Sequence, residues 1–249
     1  MGLALIRPDW PAPRNVFAAS TTRIGGVSIA PFDTLNMGKS SGDDPAAVDE
    51  NRRRVSEALK LPAQPSWIMQ VHGSRVVHAP FSLAAGESDP QADASFTTQK
   101  AVVCLVQSAD CLPVLFCDQQ GTMVAAAHAG WRGLAAGVLE QTVHALPASP
   151  RKLMAWMGPA ISAKHFEVGP EVRTAFETAS PEALPAFTPA TRSGKWMCDL
   201  YVAARARLHR AGVEAVYGGD LCTYADVSRF FSFRRDGNCG RMASLIWLG

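Results

Sequence analysis

The chain has 249 residues, of which 47% are hydrophobic and 18% are charged. This composition supports a substantial core and excludes a disordered chain. With 24 basic and 22 acidic residues, the net charge of +2 leaves no basic footprint for nucleic acid. The N-terminus is interrupted by Arg7, Pro8 and Asp9 too early for a signal peptide, and no apolar run approaches a membrane span. We therefore expect a cytoplasmic protein without nucleic-acid or membrane partners.

Six cysteines occur along the chain, at positions 104, 111, 117, 198, 222 and 239. None forms a C-x-x-C pair, and a chain of this length does not depend on disulfides for its core. We expect all six to be reduced, which agrees with a cytoplasmic location.

In the first half of the chain, apolar runs predict short strands separated by polar loops. A long loop from Thr21 to Asp44 precedes a helix that runs from Pro45 to about Leu61, with Asp44 as its N-cap. Arg52, Arg53 and Arg54 are predicted to lie on the solvated face of that helix. Strands are predicted over 15–20, 67–77 with a break at His72-Gly73, 92–98 and 101–107, and a polar loop over 80–91.

In the second half, the pattern predicts a hairpin of strands 113–117 and 122–127, joined through Asp118 to Gly121. A helix follows from Leu134, and Asp199 is the expected N-cap of another that ends at Gly212. Further elements are predicted at 152–157, 170–179 and 243–248. Because strands and helices mix without strict alternation, linker or repeat, we predict a single α+β domain over 1–249, with a mixed β-sheet core flanked by helices.

Three apolar strands each end at a possible metal ligand: His72, Cys111 and His128. Three protein ligands with the fourth position open are typical of a catalytic zinc site. Taken singly, a histidine at a strand end is more often a hydrogen-bonded core residue, and a lone cysteine is more often a small hydrophobic residue. The spacing alone leaves both interpretations open.

Several polar residues near these ligands are candidates for substrate binding. Gly130 and Gly133 bracket Arg132 at a strand-to-helix turn, where free N–H groups and a guanidinium suit an anion; the alternative is a tight turn with a solvated arginine. Gln70 and Ser108 lie close to the ligands in sequence. Asp93 is a candidate partner for a metal-bound histidine, or simply an aspartate at a strand edge.

Two more distant stretches contain further candidates. The loop from Thr21 to Asp44 carries Arg23 and Asn36, and loops this long are usually functional, although a surface turn is the alternative. Arg234 and Arg235 form a pair that could bind phosphate or be a solvated basic turn. We assign the remaining histidines to structural positions: His78, His144, His165 and His209.

The motifs QVHG, ADCLPVLF and AAAHAGWRG and the terminal FFSFRRDGNCGRMASLIWL resemble the YfiH-type family, as does TTRIGGVSIAPFDTLNMG near the N-terminus. Members have been called laccase-domain or polyphenol-oxidase proteins and are now understood as purine nucleoside phosphorylases. The resemblance implies a catalytic zinc held by His72, Cys111 and His128. It also implies phosphorolysis of adenosine, inosine, guanosine and methylthioadenosine, with deamination of adenosine, and places Arg23 and Asn36 near the active site.

Three other classes of function are weighed against this one. A multicopper oxidase needs many imidazoles, usually in H-x-H pairs, and the six histidines here form no such pair; copper remains an adventitious occupant of N/S ligands. A hydrolase or amidase could use Cys111 as nucleophile and His128 as base, as in related peptidoglycan editing factors that act on a cell-wall precursor. The third class is a non-catalytic binding module.

Overall fold

The computed structural model describes residues 2–81 and 88–249. The helices are α1 (Pro45–Leu59), α2 (Trp131–Ala135), α3 (Val138–Ala145), α4 (Pro170–Ala179), α5 (Leu200–Arg210) and α6 (Phe233–Asp236). The strands are β1 (Leu5–Ile6), β2 (Val16–Thr21), β3 (Val76–His78), β4 (Ala94–Thr97), β5 (Val103–Ser108), β6 (Leu112–Asp118), β7 (Val124–Ala129), β8 (Leu153–Met157), β9 (Glu167–Val168), β10 (Phe187–Pro189), β11 (Trp196–Cys198), β12 (Ala215–Gly218) and β13 (Met242–Leu248). None of the helices in these ranges is both long and apolar enough to cross a membrane.

The strands form a mixed sheet and two antiparallel sheets. The largest has the order β12-β8-β6-β7-β4-β3, with parallel pairs at both edges and antiparallel pairs between them. A four-stranded sheet has the order β1-β2-β13-β5, and a small one the order β10-β11-β9. The predicted α+β class with a mixed-sheet core is therefore confirmed.

The hairpin of β6 and β7 lies at the centre of the molecule and is buried along its whole length. Side chains alternate between two clusters because successive residues of a strand point to opposite faces. Val114 and Phe116 pack with the helices on one face, whereas Leu115 and Cys117 pack against the four-stranded sheet on the other. Burial on both faces explains why these strands read as nearly continuous apolar runs.

The helix caps agree with the sequence analysis. The Asp44 carboxylate accepts a hydrogen bond from the Ala46 N–H at 3.0 Å, and Pro45 occupies the first turn of α1. Asp199 accepts hydrogen bonds from the N–H groups of Tyr201 and Val202 at the start of α5. All six cysteines are free, as expected.

Two predicted elements were wrong in detail. The helix expected from Leu134 begins at Trp131 and breaks after Ala135, because Gly137 adopts a φ of +92° before α3 begins. The strands expected over 67–77 reduce to an isolated bridge at Met69 and to β3, because the chain turns at His72, where φ is +59°. The loop expected over 80–91 lies partly outside the described residues.

The break at Gly137 gives a test of the corrected helix. A Cβ at φ +92° is strained, and here it would also lie 3.3 Å from the Arg207 guanidinium. We expect Gly137→Ala to lower the free energy of unfolding by about 1–2 kcal/mol in urea titrations. A continuous helix would instead be stabilised by this change, so a stabilised variant would contradict the two-helix description.

Candidate metal centre and its cavity

The three predicted ligands lie together. One possible ligand atom from each of His72, Cys111 and His128 lies within 4.8 Å of the others. Among the described residues, these three form the group that could hold a metal ion. Cys111 Sγ is 3.9 Å from His72 Nε2. The register of β6 and β7 pairs Pro113 with His128, which brings the turn before β6 beside the end of β7.

Asp93 connects two of the three ligands. Its fully buried carboxylate accepts hydrogen bonds from the N–H groups of Val71, His72 and Gly73, at 3.2, 2.9 and 2.6 Å. The same carboxylate is 2.9 Å from Nδ1 of His128. An Nδ1–H that donates to Asp93 leaves Nε2 as the ligand atom. Burial alone would raise the pKa of Asp93, but His128 and these N–H groups outweigh it and lower that pKa.

The electrostatics favour a thiolate at Cys111. Burial opposes the charged form most strongly, but His128 and His72 together lower the pKa of Cys111 to about 6. Burial likewise opposes the imidazolium of His128, and the neighbouring Cys111 and Asp93 raise its pKa to about 9. The thiolate is the form of cysteine that binds metals.

Two glycines allow the ligand segments to approach closely. A Cβ at Gly130 would lie 2.8 Å from Cys111 Sγ and 3.1 Å from the His72 ring, and one at Gly133 would lie 2.7 Å from the Gly73 carbonyl. Two imidazoles and a thiolate, packed this closely beside a cavity, fit a metal with one open coordination position.

A cavity of about 750 Å³ opens beside the three ligands, a volume typical of small-molecule sites. Its walls combine positive charge and aromatic rings. The cationic residues are Lys39, Arg52, Arg132, Arg234 and Arg241, and the aromatic residues are Trp67, Trp131, Phe166 and Phe233.

Two of the predicted substrate-binding residues, Gln70 and Arg132, line this cavity. Arg132 lies over the Trp131 ring at 4.3 Å. The Gln70 side-chain amide is hydrogen-bonded to the backbone of β5. It donates to the Gln107 carbonyl at 2.8 Å and accepts from the Gln107 N–H at 2.7 Å. Ser108 also lines the cavity.

The other three predicted residues do not line the cavity, and their polar groups form hydrogen bonds within the protein. Arg23 donates to Asp33 and to the Val227 carbonyl. Asn36 Oδ1 accepts hydrogen bonds from the N–H groups of Gly38 and Arg241. Arg235 donates to three carbonyl groups and to Asp236. Direct contact of Arg23, Asn36 or Arg235 with substrate stays a prediction. Of the pair Arg234 and Arg235, it is Arg234 that lines the cavity.

Arg52 and Trp67 also line the cavity, and neither was predicted from the sequence. Arg52 lies 3.3 Å over the Trp67 ring and donates to the Met37 carbonyl, so it is not on the solvated face as expected. Its neighbour Arg53 pairs with Glu50 and does face solvent. The available signal was helical spacing, since Arg52 follows the buried Val48 by four residues.

The family model described as multi-copper polyphenol oxidoreductase laccase matches residues 17–249. The chain is 54% identical over 249 residues to the purine nucleoside phosphorylase PA4543 of Pseudomonas aeruginosa, and 51% identical over 246 residues to the purine nucleoside phosphorylase YfiH of Escherichia coli (strain K12). It belongs to the YfiH family. Each alignment covers 98% of this chain and 98% of the relative.

Solved structures of the family have the same fold. The crystal structure of protein NMB0706 from Neisseria meningitidis is 52% identical, with a TM-score of 0.92 over 98% of each chain. YlmD from Geobacillus stearothermophilus is 31% identical, with a TM-score of 0.87 over 100% of this chain and 96% of its own. The resemblance found in the motifs is therefore confirmed along the chain.

Replacement of Asp93 by asparagine tests its role. In Asp93→Asn the side chain keeps its size but loses charge and one acceptor, so we expect metal affinity to fall about 10- to 100-fold. Competition with a chromophoric chelator measures this. Asp89→Asn, at an exposed aspartate of the cavity wall, is the control. Equal affinities of the two variants would contradict the role of Asp93.

Proposed function

We propose that this chain is a zinc-dependent purine nucleoside phosphorylase acting on adenosine, inosine, guanosine and methylthioadenosine, with adenosine deamination as a side activity. The observation that carries the proposal is a His–Cys–His group beside a cavity whose wall holds several guanidinium groups. The curated names of relatives at 51–54% identity support the same substrate class. We propose that the enzyme works in the cytoplasm on these small molecules.

Arg132 and Arg234 are the residues we assign to phosphate. Neither forms an ion pair within the described residues, and each lies over an aromatic ring, Trp131 or Phe166. The rings restrain the guanidinium groups. Arg234 Nη1 donates to the Glu167 carbonyl at 2.8 Å, and its remaining N–H donors can bind an anion. A phosphate held this way is oriented to attack the anomeric carbon of a bound nucleoside.

Cleavage of a ribosyl bond builds positive charge on the sugar and negative charge on the departing base. A dianionic phosphate near the sugar stabilises the first charge. A zinc ion on His72, Cys111 and His128 would supply Lewis acidity at the cavity floor. The aromatic residues of the wall offer flat apolar surface to a purine.

Deamination of adenosine needs water in place of phosphate. The signature of zinc deaminases combines H-x-E with P-C-x-x-C. His165-Phe166-Glu167 matches the first part, but the sequence has no P-C-x-x-C, so the full signature is absent. We therefore assign this side activity to the same His–Cys–His group rather than to a deaminase-type site.

The first test combines metal analysis with turnover. On protein purified without added metal, we expect about one zinc per chain and phosphate-dependent release of base from inosine and adenosine. Both should be lost in His72→Ala, whereas the control His78→Ala should keep both, because His78 is an exposed residue that packs against Phe96 in a tilted arrangement. Inosine formed from adenosine without phosphate measures the deamination.

Other outcomes identify the alternatives. Full zinc occupancy without nucleoside turnover would favour the cell-wall editing hydrolase. Turnover by a metal-free protein with a readily alkylated Cys111 would favour a cysteine hydrolase. Copper with phenol oxidation would favour the oxidase that the family model describes.

The phosphate assignment has its own test. Arg234→Gln removes one cationic donor, so we expect KM for phosphate to rise about tenfold or more while zinc content and KM for inosine stay close to wild type. Arg192→Gln is the control, since Arg192 is exposed and pairs with Glu167 at the surface. An unchanged KM for phosphate in Arg234→Gln would remove Arg234 from the site.

A further inference from the structure

Asp110 occupies the turn between β5 and β6, directly before the ligand Cys111. It is 8% exposed and adopts a φ of +95°, a backbone region that side chains other than glycine, asparagine and aspartate rarely enter. Its carbonyl accepts a hydrogen bond from the Ile161 N–H at 3.0 Å. The backbone beside Cys111 is therefore held in an uncommon conformation by contacts on both sides of the residue.

The Asp110 carboxylate binds a segment more than a hundred residues further along the chain. One oxygen accepts from Thr223 Oγ1 at 2.6 Å. The other accepts from Ser232 Oγ at 3.0 Å and from the Arg234 N–H at 2.7 Å. Ser232 is the N-cap of α6, the short helix that carries Arg234. One carboxylate thus joins the turn of a metal ligand to the element that presents a cavity arginine.

We propose that Asp110 is a positioning residue that fixes the positions of Cys111 and Arg234 relative to each other. The distance between the metal site and the anion-binding wall then stays constant. The identity of the anion as phosphate rests on the proposed function. The contacts of Asp110 do not depend on it.

Asparagine separates hydrogen bonding from charge at this position. The Asn oxygen can replace the carboxylate oxygen that faces the Arg234 N–H, because a backbone N–H can donate a hydrogen bond but cannot accept one. The Asn amide group would then face Thr223 Oγ1, a hydroxyl that can accept as well as donate. Asn also tolerates positive φ. A positioning role is therefore retained in Asp110→Asn, whereas a role that needs the negative charge is lost.

Glycine removes the side-chain contacts without backbone strain. Glycine adopts a φ of +95° without strain. Asp110→Gly therefore loses the three hydrogen bonds that the carboxylate accepts but keeps the conformation of the turn. Asp118, at the other end of β6, gives a matched control. It is 3% exposed and accepts three hydrogen bonds, from the Thr122 N–H, the Thr122 hydroxyl and the Met123 N–H, at a distance from the cavity lining.

The experiment measures phosphate Kd by calorimetry and zinc affinity by chelator competition on the metal-loaded protein. In Asp110→Gly we expect phosphate Kd to rise about tenfold or more and zinc affinity to fall, because hydrogen bonds to a charged acceptor are lost. Asp110→Asn should stay within about threefold of wild type for both. Asp118→Gly and Asp118→Asn should change neither quantity.

A double-mutant cycle identifies the route of the effect. If Asp110 acts on the anion through Arg234, then Asp110→Gly adds no further loss of phosphate affinity in an Arg234→Gln background. Additive losses would overturn the inference, as would an Asn variant as impaired as the Gly variant. A merely structural defect would lower the unfolding midpoint without this non-additivity or this rescue.

Failure of the proposed function gives a different result. A wild-type protein that binds zinc but neither binds phosphate nor cleaves nucleosides would contradict the phosphorylase and remove the Arg234 half of the inference. Zinc affinity that still depends on Asp110 would keep the Cys111 half. Unchanged zinc and phosphate affinities in Asp110→Gly would overturn the whole inference, whatever the wild-type enzyme turns over.

Discussion

The site depends most on the buried carboxylate of Asp93. Its oxygens accept hydrogen bonds from three backbone N–H groups of the turn at His72, and one of them lies 2.9 Å from Nδ1 of His128. A buried carboxylate is costly unless it is fully hydrogen-bonded, and here the compensating partners are the backbone of one ligand and the side chain of another. The hydrogen bonds that offset the burial of the charge therefore also fix the direction of two ligands.

The third ligand is placed by the sheet. Pairing of β6 with β7 sets Cys111 opposite the end of the strand that carries His128, and a one-residue slip would reverse the buried faces of the hairpin. Both faces are covered by packed clusters, so the register is strongly determined. The geometry of the His–Cys–His group is therefore a consequence of the core.

The sequence predicted the fold class, the helix caps and the grouping of His72, Cys111 and His128, because these depend on local patterns and on motifs along the chain. It did not predict the contacts between distant segments that lie outside these motifs. The stack of Arg52 on Trp67 and the hydrogen bonds from Thr223 and Ser232 to Asp110 join residues whose proximity depends on the assembled sheets. The helix break at Gly137 was not predicted because the sequence does not indicate whether a glycine within an apolar helical pattern adopts a positive or a negative φ.

The three ligands alone do not distinguish a phosphorylase from an oxidase, since imidazole and thiolate bind zinc and copper alike. The cavity wall is more informative. Arg132 and Arg234 present guanidinium groups that are restrained by aromatic rings and have no carboxylate partner among the described residues. Both side chains are exposed, so an anion that enters the cavity can reach them. A phenol oxidase has no need of this wall, whereas an enzyme that must bind and orient phosphate depends on it.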